Sequence, residues 1–184
     1  MRCLPGAPTL PVVADVRRAR CRAALPVFAA LRRACRLPPM RPAGWVVDYY
    51  EHAGPDYRSW SPRFNMHFGY YRRGMNPLRL EPMLAAMNDE ILRGLAIPAG
   101  QAAHALDLGC GLGATARQLA GRVPGLAVTG LTIVPGQAIE GQRISAAEGL
   151  GDRVRLIHAD YTAIPLPDHS VDYAYAIESV CHAR

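Results

Sequence analysis

A chain of 184 residues, half of them hydrophobic and a fifth charged, has the balance of one globular domain and excludes both a disordered polymer and two ordinary domains. The net charge of +6 is unevenly placed: residues 1–44 hold nine arginines and one acid, whereas the remainder holds twelve arginines and fourteen acids. The body is slightly acidic, which excludes nucleic acid as its partner, and no apolar run reaches the ~18 residues that integral membrane association needs.

Residues 1–44 are rich in arginine and proline. Val16, Ala19, Ala23, Val27, Ala30, Leu31 and Ala34 fall at roughly helical spacing, but Pro26 interrupts them. A disordered or loosely helical extension is expected there. From Trp45 the composition changes, and residues 45–100 read as a helical cap. The stretch WVVDYYEHAGPDYRSWSPRFNMHFGYYRRGMNP holds both tryptophans and two of the three phenylalanines. It predicts a helix and then an irregular segment, with Gly54, Pro55, Pro62, Gly69 and Gly74 as interruptions. Leu80, Leu84, Met87, Ile91 and Leu95 then recur at four, three, four and four, the stripe of an amphipathic helix, which Pro98 and Gly100 end.

From residue 101 to 184 the pattern alternates. AHALDLG predicts a strand, ATARQLAGRV a helix, LAVTGLTI a strand, PGQAIEGQRISAAEGL a helix, RVRLIHAD a strand and VDYAYAIE a strand. Strands alternating with helices imply right-handed βαβ units and an α/β fold, a Rossmann-like parallel sheet with flanking helices. The five cysteines are widely spaced without a CxxC pair. They offer no metal site and read as free thiols of a cytoplasmic protein.

The turn DLGCGLG, from Asp107 to Gly113, follows the first strand of this series and precedes its helix. Such turns bind ligands at the carboxyl edge of a parallel sheet. Glycine there allows positive φ and close approach to the main chain, and the helix beyond presents free N–H groups. A phosphate cradle would need a trailing GK[ST]. A dinucleotide site would need GxGxxG and an acid where Thr132 stands. Neither is present.

The acid-first pattern DxGxGxG instead resembles motif I of the class I S-adenosylmethionine-dependent methyltransferases. VTGLTIVPGQ is similar to a form found in the sterol-, tocopherol- and natural-product-type members, and HADYTAIPLPDHSVDYAYAIES is similar to the blocks that follow it in that family. NMHFGYY resembles the lid that closes over cofactor and acceptor. The resemblance covers residues 45–184 and implies S-adenosyl-L-methionine as cofactor and a small-molecule acceptor, lipid-like or a natural product. It carries cofactor contacts onto Asp107, Gly109, Gly111, Gly113, Thr132, Ile133, Gln137, Asp160 and Tyr161. Cys110 enters only as the small residue between two glycines, and Tyr49 and Tyr70 join as part of an aromatic wall for the sulfonium. Candidate catalytic residues, as proton acceptors, are Glu178, His67 and His182, each equally readable as pocket lining.

Members of the family continue past their fourth strand, so the resemblance implies an N-terminal portion with an incomplete sheet. Such a portion is expected to transfer methyl groups poorly, with its last strand an exposed edge open to self-association. The alternative reading is a non-catalytic cofactor-binding or interaction protein that keeps the same fold.

Overall fold

The computed structural model describes residues 12–15 and 43–182. In chain order these form β1 (Val12–Asp15), α1 (Ala43–Trp60), α2 (Leu80–Leu95), β2 (Ala103–Leu108), α3 (Ala114–Arg122), β3 (Leu126–Thr132), α4 (Pro135–Ala147), β4 (Val154–His158), β5 (Tyr173–Ala176) and a short 3-10 turn (Val180–His182). The sheet runs β1-β5-β2-β3-β4. β2 pairs in parallel with both β3 and β5, and β3 in parallel with β4. The chain therefore winds outward from β2 to β4, then crosses back to place β5 on the other side of β2. That reversal opens a crevice beyond the carboxyl ends of β2 and β5, where folds of this kind take ligands.

The alternation in the sequence forms these elements for ordinary reasons. β2 and β3 are central, so their side chains are buried on both faces, and AHALDL and LAVTGLT read as nearly continuous apolar runs. Ile91 and Leu95 of α2 pack with Ala116, Leu119 and Ala120 of α3, and with Leu126, Val128, Val154, Tyr173 and Tyr175 of the sheet. Leu84 and Ile91 have no exposed surface, as the spacing of the α2 stripe requires. Ala96 ends that helix in the left-handed region at φ 49°.

Two expectations are corrected. α1 runs through Gly54 and Pro55 to Trp60 without a break, although proline lacks the N–H that would bond four residues back. One aromatic pair lies before the interruption and one bridges it: Trp45 stacks on Tyr49 at 5.7 Å, and Tyr50 on Tyr57 at 6.2 Å. Secondly, β5 is no exposed edge, and the extension is not wholly irregular. Val12–Asp15 pair antiparallel with β5 in the register Val12↔Ala176 to Asp15↔Tyr173, so the backbone groups expected to seek a second copy are already bonded. The proposed helical stretch after Asp15 lies outside the described residues.

Candidate functional site

A cleft enclosing about 770 Å³, open mouth included, lies at the crevice between β2 and β5 and under the segment that follows α1. The glycine turn forms its floor. Gly109, Gly111 and Gly113 have φ of 89°, 54° and 76°, conformations costly for any residue with a Cβ. Their missing side chains are replaced by protein rather than left for a ligand: a Cβ on Gly109 would collide with Ser179, one on Gly111 would lie 2.8 Å from the sulfur of Met66, and one on Gly113 2.9 Å from Leu156. The turn thus draws together the end of β5, the cap and β4. Gly113 is also the N-cap of α3 and stands outside the cleft lining.

Asp107, the last-but-one residue of β2, is buried at the back of the cleft. Desolvation pushes its carboxyl up to about 7. The Tyr175 hydroxyl on β5 offsets part of this without meeting ordinary hydrogen-bond geometry. A buried carboxylate so poorly compensated favours a cationic group beside it. Cys110 lines the cleft and packs against Gly130, and burial raises its thiol well above the ordinary value. That describes a packed thiol, not a nucleophile.

At the end of β3, Thr132 donates to Gln137 Oε1 at 2.8 Å and accepts from the Val134 N–H at 3.2 Å. Pro135 stands at the first turn of α4, where a missing N–H costs nothing. Thr132, Ile133 and Gln137 line the cleft side by side. Tyr161 joins them, its hydroxyl donating to the Ser179 carbonyl at 2.6 Å, while the Ser179 hydroxyl donates to the Leu108 carbonyl. Asp160 is not in the lining; its Oδ1 accepts from the Thr162 N–H and hydroxyl, turning the carboxylate into its own loop.

The three candidate proton acceptors meet in the cleft. Glu178 sits just past β5 at φ 53°, a strained conformation for a non-glycine residue, and one carboxylate oxygen accepts the Phe68 N–H at 3.0 Å. That bond ties the cap to the end of the sheet. His182 meets the Tyr50 hydroxyl at 3.5 Å, and burial lowers its pKa, which favours the neutral ring. Tyr50 is itself pushed up to about 12, by burial first and by Tyr57 second. His67 has both ring nitrogens occupied, Nδ1 with the Phe68 carbonyl and Nε2 with Asn88 Oδ1, each at 2.9 Å.

Tyr49 and Tyr70 do not line the cleft: Tyr49 stands on the outer face of α1, and the main chain of Tyr70 is pinned to α2 through the Met83 carbonyl at 2.8 Å. Instead Tyr50, Phe64 and Met66 face inward, and Thr115 and Ser179 complete the wall. The sequence singled out none of Met66, Thr115 and Ser179. The one available signal was that Ser179 directly follows Glu178 at the end of the HADYTAIPLPDHSVDYAYAIES block.

With this geometry in view, the similarities to known proteins are informative. Residues 105–184 match the sequence profile of a methyltransferase domain. Over 138 residues the chain is 32% identical to the sterol 24-C-methyltransferase of Yarrowia lipolytica, an alignment covering 75% of this chain and 32% of that enzyme. Over 140 residues it is 34% identical to the methyltransferase GfsG of Streptomyces halstedii, covering 74% of this chain and 48% of the relative. The chain thus spans less than half the length of these relatives. Among solved structures, a geranyl diphosphate methyltransferase in complex with GPP and sinefungin superposes with a TM-score of 0.61 at 21% identity, over 70% of this chain and 52% of that one. The [4+2]-cyclase SpnF superposes with 0.59 at 22% identity, over 73% of this chain and 48% of that one. Those two likenesses concern the fold alone. Residues 105–184 therefore carry a methyltransferase domain, and the motif order and the switch-point cleft are those of the class I S-adenosylmethionine-dependent kind.

Proposed function

We propose that the chain binds S-adenosyl-L-methionine in this cleft and directs its methyl group to a small-molecule acceptor with an apolar body. The observation that carries the proposal is the convergence of Asp107, the glycine turn, the Thr132–Gln137 pair and Tyr161 around one crevice at the strand-order reversal. The residues fit the cofactor's chemistry, because a buried carboxylate pushed up to about 7 gains most from a cation placed beside it.

Bound there, the cofactor would supply a methyl group on a sulfonium, ready for in-line displacement. The protein's part is mainly to align the two reactants and keep water out. Asp107 offers the negative pole, and the Thr132–Gln137 pair offers polar groups for the nucleoside end. Val46, Tyr50, Phe64 and Ile177 give the other wall an apolar and aromatic character, and Trp60 and Phe68, edge to face at 6.3 Å, extend it at the surface. This supports an acceptor of the lipid or natural-product kind, as does the sterol methyltransferase among the relatives. Where the acceptor must lose a proton, our candidate to take it is His182, whose pKa burial lowers, with Glu178 of the same cleft lining as the second. The free thiols of Cys110 and Cys181 support a cytoplasmic setting.

Calorimetric titration with S-adenosylhomocysteine tests the reading. Saturable one-site binding, lost in Asp107→Ala, is expected. A chain that circular dichroism shows to be folded but that takes up no ligand would refute it.

A further inference from the structure

Helix α3 has a second working face besides the one that Ala116, Leu119 and Ala120 bury in the core. Arg117 and Gly121, and beside them Gln118 and Arg122, lie four residues apart, so the four side by side form one patch of the helix surface. That patch lines a second cleft of about 790 Å³, open mouth included, which Arg63 of the cap and Glu148 just past α4 close at its flanks. Gly121 keeps it roomy, since a Cβ built there would meet nothing within 4 Å.

The charge of this wall is unbalanced. It holds three guanidinium groups, Arg63, Arg117 and Arg122, against one carboxylate, Glu148. Glu148 pairs with Arg117 at 3.2 Å but leaves half of its side chain exposed. Arg122 approaches Asp89, outside the lining, at 3.6 Å, and Arg63 makes no ion pair among the described residues. Arg117 is 4% exposed. A guanidinium has five N–H donors, and the described residues offer this one three acceptors. The Leu112 carbonyl takes one terminal nitrogen, the Arg63 carbonyl the other at 3.2 Å, and the Glu148 carboxylate faces Nε. One N–H on each terminal nitrogen thus has no acceptor among the described residues. Desolvation lowers the pKa of Arg117 in spite of Glu148, so a further anion beside it would be favourable.

We propose that this second cleft binds the phosphate groups of a small soluble molecule. The wall's net charge of +2, three guanidiniums less one carboxylate, suits a multivalent anion better than a single carboxylate. Arginine presents paired N–H groups that match the oxygens of a phosphate. Arg117 supplies a fixed cation at the back, held by its three partners, and the exposed Arg63 and Arg122 close on the anion from the mouth. Arg117 also joins Leu112 of the glycine turn to Arg63 of the cap, and Ala114 lines both clefts. A phosphate that compensates Arg117 therefore firms the joint between turn and cap. None of this depends on what the first cleft takes.

Calorimetric titration of the full chain with inorganic diphosphate, at about 0.15 M salt to screen general attraction, tests the site. One saturable site is expected. Arg63→Gln and Arg122→Gln change exposed side chains and should each weaken it about tenfold, and the double variant should abolish it. Arg93→Gln alters an exposed arginine of α2 outside the cleft and should leave the affinity unchanged. No binding to the wild-type chain overturns the proposal. So does a site that survives the double substitution, which would put the anion on the arginines of residues 1–44. Equal weakening by Arg93→Gln would show attraction to a basic chain and no built site. Saturating S-adenosylhomocysteine should leave the diphosphate stoichiometry as it is; competition between the two would move the anion to the first cleft and overturn the second.

Discussion

Burial raises the Asp107 carboxyl from its ordinary 3.8 to about 7, and the consequence for stability has a definite sign. In the unfolded chain the group ionises near pH 4, whereas in the folded chain it holds its proton until near pH 7. As pH climbs through that window the unfolded state loses its proton first, so stability falls between about pH 4 and 7 and stays reduced above it. The shift corresponds to about 4 kcal/mol. Asp107→Asn should therefore stabilise the ligand-free chain at pH 8 and flatten the slope from pH 4 to 7, while weakening the hold on a cationic ligand. Urea melts at pH 4, 6 and 8 measure the first effect; a variant with the wild-type pH slope would remove Asp107 as its origin. His182 moves the other way, its pKa lowered by burial. With an acceptor that needs deprotonation, the acidic limb of kcat should lie below the ordinary histidine value of 6.5 and disappear in His182→Gln, with a loss of about 10²-fold or more. A limb that survives the substitution would transfer that role to Glu178.

Arg117 shows how one element of the fold holds another. Its buried guanidinium donates to the Leu112 carbonyl in the glycine turn and to the Arg63 carbonyl in the cap, and pairs with Glu148 at 3.2 Å just past α4. Arg117→Ala would strand those oxygens and should destabilise by about 3 kcal/mol or more. It should also speed proteolytic cutting at Arg63, since the carbonyl that α3 restrains there is released. Equal cutting rates would mean that the cap is held elsewhere. Ile91→Ala, emptying a fully buried site between α2 and the sheet, should cost about 3 kcal/mol, measured by denaturant midpoint. The positions of α2, α3 and β2 to β5 were legible in the sequence because their apolar periods are dictated by the core. The glycine turn was legible because few other purposes use an acid followed by alternate glycines. Side-chain direction was not: Tyr49, Tyr70 and Asp160 belong to suggestive blocks, yet they point outward or into their own loop. Asn88 lies off the apolar stripe of α2, and only the packing of the cap against α2 and α3 shows it buried and bonded to Asn65 and Gln118.

Over the whole molecule, β1 was invisible for a different reason. Four residues without alternation carry no strand signal, and their partner lies far along the chain. The pairing is testable: Val13→Pro with Ala14→Pro removes an N–H from either face of β1 and should accelerate amide exchange across Tyr173–Ala176. Unchanged protection would mean that β5 is shielded by something else. The distance between those partners also bears on synthesis. Val12 faces Ala176, a separation of 164 residues (176 − 12). At ribosomal rates of about 5–20 residues per second, β1 waits on the order of ten to thirty seconds for its partner to be made. Over that interval β2, β3 and β4 can already be assembled, since each lies close in sequence to the next. The first of these five strands to be made is thus among the last to find its place, and the sheet has to stay soluble with one flank open until β5 arrives to receive it.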